Sequence, residues 1–380
     1  MKPHLIVVGP LPPPINGESI ALDQLIHSDA VQKNYQIDVV NMSRNKGTKG
    51  GHFSFLKIVQ DIKSILTIYR KVKKIRNGIL YLSISQTKLG LFRDAIIIGL
   101  SYGKVDRIIA HLHGNNLKNV LLSLKPILAK KIFSTLKKID TGIVLNNTLA
   151  TNFMALPKRV VVVANGIDQH LFSSKEIDSA ALRRRKNNTF HILYLSNLIE
   201  SKGFGELILA VMDLLKRNVD VTLTLAGQLF DRPLFEELFQ EIEQCNWESR
   251  INYLGVVTGD EKKRLLLETD LMILPTRYPI EGQPISIIEG MAAGLPIIST
   301  TQGAIPDMID GSGIIVDRVD RESLAHAIKQ LIDDQSLYAR LSEHSRASFL
   351  KHFTLDHYIN ELISVFERGI SNEQKNYICH

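Results

Sequence analysis

Short apolar runs recur along this chain, each followed by a segment long enough to be a helix. In the first half, residues 5–8 form a buried-strand run, and residues 37–40, 78–83, 107–111 and 142–145 read as further strands. A Pro-rich loop and a helix-like stretch at residues 18–26 follow the first of them. Strands that alternate with helices predict a parallel sheet with helical crossovers. The rhythm pauses after the apolar run 160–164, where Asn165-Gly166-Ile167-Asp168 signals a turn and the polar stretch 173–188 reads as a connector. It then restarts, with strands at 191–195, 221–226, 251–254, 271–274 and 296–299, and helices at 205–217, 234–244, 260–268 and 285–293. The closing stretch 321–369 is mostly helical. These patterns predict an α/β protein of two Rossmann-like, doubly wound domains, residues 1–168 and 169–354, with a C-terminal helix at 355–380 rejoining the first. Open parallel sheets bind ligands at the carboxyl ends of their strands, so the ligand is expected between the halves.

The length of 380 residues agrees with two domains, and 44% hydrophobic against 22% charged residues is a globular balance that leaves little of the chain disordered. Two cysteines, Cys245 and Cys379, make neither a disulfide framework nor a zinc cluster, which favours the reducing cytoplasm. The short apolar run near Met1 ends in Gly-Pro and lacks the features of a secretory signal. The longest uncharged apolar stretches fall far short of the roughly 20 residues of a membrane helix. A cytoplasmic location follows as the expectation, with peripheral attachment to the inner face of the cell membrane as an extension of it.

Charge is uneven. Residues 1–170 carry 24 Lys and Arg against 9 Asp and Glu, whereas residues 171–380 carry 22 against 30. A basic half is compatible with nucleic acid, anionic lipid or an anionic substrate. Residues 57–76 and 117–139 mix apolar residues with Lys and Arg, including Lys118, Lys125, Lys130, Lys131, Lys137 and Lys138. Helices of that composition either bury one face and solvate the other or lie on an anionic membrane. No recognition motif or aromatic-rich basic patch for nucleic acid is present, so nucleic acid is not expected as a partner.

The densest chemistry lies at residues 275–300. Glu281 sits in the loop before a helix and Glu289 about one turn inside it, so both can face the end of that helix, where carboxylates suit sugar hydroxyls. The helix begins near Ile285. Pro284 has no N–H to give, so the free donors for phosphate oxygens are the backbones of Ile285 and Ser286, aided by the helix dipole. An ordinary loop and amphipathic helix with solvated glutamates would show the same spacing.

The order and spacing of Pro275-Thr276, Glu281-Gly282 and Glu289-Gly290-Met291-Ala292-Ala293-Gly294-Leu295-Pro296 resemble the signature of retaining glycosyltransferases of the family 4 type, which have the two-domain GT-B architecture. The resemblance implies that Glu281 contacts the donor sugar, Glu289 holds the nucleotide ribose, and Gly282, Gln283, Pro284, Ile285 and Ser286 complete the donor loop, with Gln283 helping to choose the sugar. Upstream, Leu195-Ser196-Asn197-Leu198-Ile199-Glu200-Ser201-Lys202-Gly203 is similar to the family's Gly-Arg-Leu-x-x-x-Lys-Gly, which implies that Lys202 clamps the diphosphate. Asn197 stands where the family has Arg, and an amide neither neutralises a phosphate nor offers arginine's fork of donors. In the first half, Gly17 resembles the glycine that lets backbone approach the donor phosphate, and His113 the histidine that lines the sugar site, with His111 structural or supporting.

The implied function is metal-independent transfer, with retention, of a sugar from a nucleotide-diphosphate sugar, UDP- or GDP-linked. The acceptor would be a glycan or lipid-linked molecule in cell-surface polysaccharide biosynthesis. The implied catalytic residues are His113, Glu281 and Lys202. No Asp-x-Asp or metal-spaced cluster is present, and no cofactor beyond the co-substrate is expected. Two alternatives share the chemistry: a nucleotide-sugar epimerase, and a non-catalytic sugar-nucleotide binder suggested by Asn197. A Rossmann dehydrogenase would need Gly-x-Gly-x-x-Gly after its first strand, and Gly9-Pro10-Leu11-Pro12-Pro13-Pro14 is not that.

Overall fold

The computed structural model describes residues 2–13, 16–43, 55–75, 78–186 and 189–367. Pro14, Cys379 and the distal part of the expected 355–380 helix lie outside them. The chain divides into two compact units, Met1–Ala164 with Asp356–His380, and Asn165–Leu355.

The first unit runs β1 (His4–Gly9), α1 (Gly17–His27), α2 (Asp29–Asn34), β2 (Gln36–Asn41), α3 (Phe55–Lys74), β3 (Gly78–Ser83), α4 (Lys88–Ser101), β4 (Arg107–Leu112), α5 (Leu117–Leu122), α6 (Pro126–Leu136), β5 (Thr141–Val144) and β6 (Arg159–Val162). Its six strands are all parallel, in the order β2-β1-β3-β4-β5-β6. β3 is buried along its whole length, the pattern of a strand covered on both faces. At the start of α1, Asn16 and Ser19 form a reciprocal capping box. The basic stretch 117–139 is two helices rather than one. Pro126 cannot continue α5 and drives Lys125 out of the helical region, to ψ 143°, before opening α6.

The second unit runs α7 (Ser174–Lys186), β7 (Phe190–Leu195), α8 (Phe204–Lys216), β8 (Val221–Ala226), α9 (Arg232–Gln244), β9 (Ile251–Tyr253), α10 (Gly259–Glu268), β10 (Leu271–Leu274), α11 (Ile285–Ala292), β11 (Ile297–Ser299), α12 (Ile305–Met308), β12 (Gly313–Ile315), α13 (Arg321–Asp333) and α14 (Gln335–His352). Its sheet is also parallel, in the order β12-β11-β10-β7-β8-β9. The expected connector at 173–188 is in fact α7. Its alanines favour helix, Ala180 is fully buried, and Arg184 donates to the Thr269 carbonyl at 2.7 Å.

After α14 the chain returns to the first unit as α15 (Leu355–Glu367), which buries Tyr358, Ile359, Leu362, Val365 and Phe366. Phe366 meets Tyr35 and Tyr81 edge-on, with ring centroids 5.7 and 5.8 Å away. Arg107 donates to the Val365 carbonyl at 3.1 Å and also to that of Phe366, a cation at a helix C-terminus. Among the described residues no helix is long and apolar enough to cross a membrane.

Candidate active site

In the second unit the predicted residues gather at the carboxyl ends of β7 and β10. The chain leaving β7 makes a short 3-10 turn at Glu200–Lys202 and reverses through Gly203, whose φ is +76°. A Cβ there would lie 2.2 Å from the Pro275 carbonyl oxygen, so only glycine lets the turn press against the segment leaving β10. The close approach brings Lys202 Nζ to 3.1 Å from Glu281 Oε2 and 3.2 Å from Ser196 Oγ, with its charge 5.3 Å from the centre of the Tyr278 ring. Glu281 is 8% exposed and also accepts from Thr276 Oγ1 at 3.2 Å. Burial, reinforced by the Glu281 charge, raises the Tyr194 hydroxyl well above the usual tyrosine range.

The loop carrying Glu281 is fixed from the far side by Gly303. Its φ is +56°, a Cβ would sit 2.4 Å from the Glu281 carbonyl oxygen, and Ala304 N donates to the Gly282 carbonyl at 2.8 Å. The Gln283 side chain accepts from Asn165 N at 2.6 Å, so it is engaged with the backbone. Pro284 is the N-cap of α11 and supplies no capping side chain, which leaves the first turn at Ile285 and Ser286 open to an anion. Glu289, one turn on, pairs with Lys262 of α10. Asn197 is exposed, and its carbonyl accepts from the Tyr194 hydroxyl at 2.9 Å.

Sequence reasoning missed Ser196, Tyr278, Lys262 and the spacing glycines. Ser196, Tyr278 and Gly203 lie within the named motifs, whereas Lys262 lies on α10 with no such signal, because the partners come from different parts of the chain. Cavities of about 240 and 690 Å³ lie elsewhere in this unit, one at the amino ends of β7 and β10 and one along β12 and α13.

In the first unit Gly17 is the first residue of α1 and His113 follows β4. The His111 and His113 rings stack at 3.9 Å with a 31° tilt, and Tyr81 hydrogen-bonds His111 Nδ1. Both ring nitrogens of His113 are shielded and find no hydrogen-bond partner among the described residues, and the same holds for His111 Nε2. Burial pushes the His113 ring down to about 3 and holds His111 well below the usual histidine range, so both rings are neutral near pH 7. Glu18, beside Gly17, accepts from Ser83 at the end of β3, and burial raises its carboxyl above the usual range. Neutral rings and a shielded carboxyl are hydrogen-bonding groups that suit hydroxyls.

Residues 175–348 match the family model of glycosyl transferases group 1. The chain is 25% identical over 282 residues to the N-acetyl-alpha-D-glucosaminyl L-malate synthase of Bacillus anthracis, covering 73% of this chain and 71% of that protein. It is 26% identical over 217 residues to the amylovoran biosynthesis glycosyltransferase AmsK of Erwinia amylovora, covering 56% of this chain and 51% of AmsK, about half of that relative's length. The solved structure of Anabaena HepE in complex with UDP and glucose is similar at a TM-score of 0.69 and 18% identity, covering 96% of this chain and 99% of HepE. Sucrose-phosphate synthase from Thermosynechococcus elongatus is similar at 0.71 and 14%, covering 96% and 98%. At these identities the structures establish the shared fold, which is GT-B. Residues 175–348 match the group 1 glycosyl transferases, and the relatives and the GT-B fold that this chain resembles are those of glycosyltransferases.

Proposed function

We propose that this enzyme transfers a sugar from a UDP- or GDP-linked donor to a glycan or lipid-linked acceptor, with retention, without a metal ion, in cell-surface polysaccharide biosynthesis. The observation that carries the donor reading is the Lys202–Glu281 pair at 3.1 Å beside the open first turn of α11. Lys202 and the Ile285 and Ser286 N–H groups are fixed donors for the charge that grows on the departing diphosphate. Glu281 accepts from the donor sugar's hydroxyls and Glu289 from the ribose, with Lys262 holding the Glu289 carboxylate in place. We assign His113 to a sugar hydroxyl and the Gly17 backbone to phosphate. Because the His113 ring is neutral, its role is hydrogen bonding rather than proton donation. A UDP donor is supported by the UDP and glucose bound to HepE, and a polysaccharide product by the role named for AmsK. The basic first unit supports work at the anionic inner face of the cell membrane.

Calorimetric titration with UDP-, GDP-, dTDP- and ADP-sugars in metal-free buffer tests the donor reading. One nucleotide class should bind saturably. Lys202→Ala should weaken it about 10- to 100-fold, the scale of a lost charge-assisted hydrogen bond. Glu289→Ala should weaken it as well. Binding of none of the four would overturn the donor assignment.

A further inference from the structure

We propose that the outer face of α3, α4 and α6 inserts into the headgroup region of an anionic lipid bilayer. Six large apolar side chains on these helices meet water: Val59 at 48% exposure, Ile62 at 50%, Leu66 at 48%, Leu89 at 63%, Phe92 at 47% and Ile127 at 79%. Val59, Ile62 and Leu66 follow helical spacing and form one stripe of α3, while Ile68 and Val72, on its other side, are buried at 1%. The same outer stripe continues through exposed Lys63, Arg70 and Lys73.

The three helices form one surface. α3 packs on α4 and α4 on α6. They connect β2 to β3, β3 to β4 and β4 to β5, steps that all move the same way across the sheet. Right-handed crossovers therefore place them on one face of it, running together, with their N-termini at the carboxyl ends of the strands. Five of the six apolar residues lie in the N-terminal halves of their helices and Leu66 just past the middle of α3, so the stripe is weighted toward the end of the sheet that also carries His113. The basic residues of α3 continue toward its other end.

Charge commits the surface to an anionic occupant. Asp61, the acidic residue on the described part of α3, is bound to Arg93 at 3.4 Å, and Asp94 of α4 is fully buried against the same arginine. Apolar side chains bordered by Lys and Arg, with the acids turned inward, are the composition of an interfacial helix surface. Apolar insertion adds a contact that the basic charge alone does not supply, and it brings the His113 end of the sheet to the lipid. This deepens the reading of a transferase working on a lipid-linked acceptor, and it rests on that reading.

Flotation of the full chain with phosphatidylcholine vesicles, with and without phosphatidylglycerol, tests it. The wild type should float with the phosphatidylglycerol vesicles. The variant combining Ile62→Ser, Leu66→Ser and Phe92→Ser keeps every charge and should lose at least about tenfold in partitioning with an unchanged melting temperature. A bimane label on Ile62→Cys, in a Cys245→Ser and Cys379→Ser background, should shift to the blue on binding and be quenched by doxyl lipids. The proposal is overturned if the wild type stays unbound, or if the triple variant floats equally well, which would leave charge alone. It is also overturned if sedimentation shows a lipid-free dimer that the triple variant abolishes, because a second copy then covers the face. UDP titration of the same preparations separates the two readings. UDP binding without flotation removes the docking surface only, and flotation without binding of any nucleotide sugar removes the donor reading only.

Discussion

Two neighbouring histidines differ in their surroundings. His111 has a protein partner in Tyr81 and stacks against His113, whereas both ring nitrogens of His113 are shielded and find no partner among the described residues. Keeping them neutral has a thermodynamic consequence. Their folded-state values lie below the ordinary histidine value of about 6.5, so the unfolded chain binds protons that the native protein refuses. Their stabilisation is present in full above pH 6.5 and is lost as pH falls toward the folded value of about 3 for His113. Thermal melts should therefore show stability declining below pH 6.5, by at most about 1.4 kcal/mol per pH unit for each ring. His113→Asn should flatten its share of that slope, and an unchanged slope would show that the ring titrates normally. The His-x-His spacing was visible in the sequence. The pairing of His111 with Tyr81 was not, because it is set by the adjacency of β3 and β4.

At the scale of elements, the Lys202–Glu281 pair depends on how closely two segments leaving neighbouring strands approach. Gly203→Ala would put a methyl group against the Pro275 carbonyl in a backbone region that L-residues resist. The substitution should cost at least about 1 kcal/mol of stability. It should also displace Lys202 from Glu281, so nucleotide-sugar affinity should drop even where the protein remains folded, a pairing that calorimetry and thermal melts resolve together. Equal affinity in wild type and variant would show that the close approach is dispensable. The strands were legible because each is a continuous apolar run between turn residues, and α11 because Pro284 marks its start. α7 was misread because charge along a helix looks like charge along a linker until one knows that Ala180 and Arg184 face inward. The α5–α6 break was written in Pro126 but outweighed by the continuous basic pattern around it. Lys262 could not be tied to Glu289 from spacing alone, since nothing local says which of several surface lysines a carboxylate meets after folding.

For the whole molecule, the division of charge follows the division of structure. The residues in excess as Lys and Arg lie mostly in the first unit, and the loops assigned above to the proposed donor site, with Glu281 and Glu289, lie in the second. The first unit is completed by α15, which supplies Phe366 to the aromatic contacts with Tyr35 and Tyr81. Phe366→Ala should cost about 3–5 kcal/mol, the range for removing a buried aromatic. In scanning calorimetry the loss should appear as an early transition assigned to the first unit, with nucleotide binding by the second unit spared. A single transition shifted as a whole would show instead that the two units melt together.

The return of α15 also sets an order of events during synthesis. Strands β1 to β6 leave the ribosome first, yet the helix that covers Tyr35 and Tyr81 is made only after all of Asn165–Leu355. At about 5–20 residues per second that interval lasts on the order of ten seconds or more, long enough for the second unit to fold while the first is still incomplete. The apolar surface around Tyr35 and Tyr81 that awaits Phe366 is thus open to a holding chaperone or to misassembly in the nascent chain.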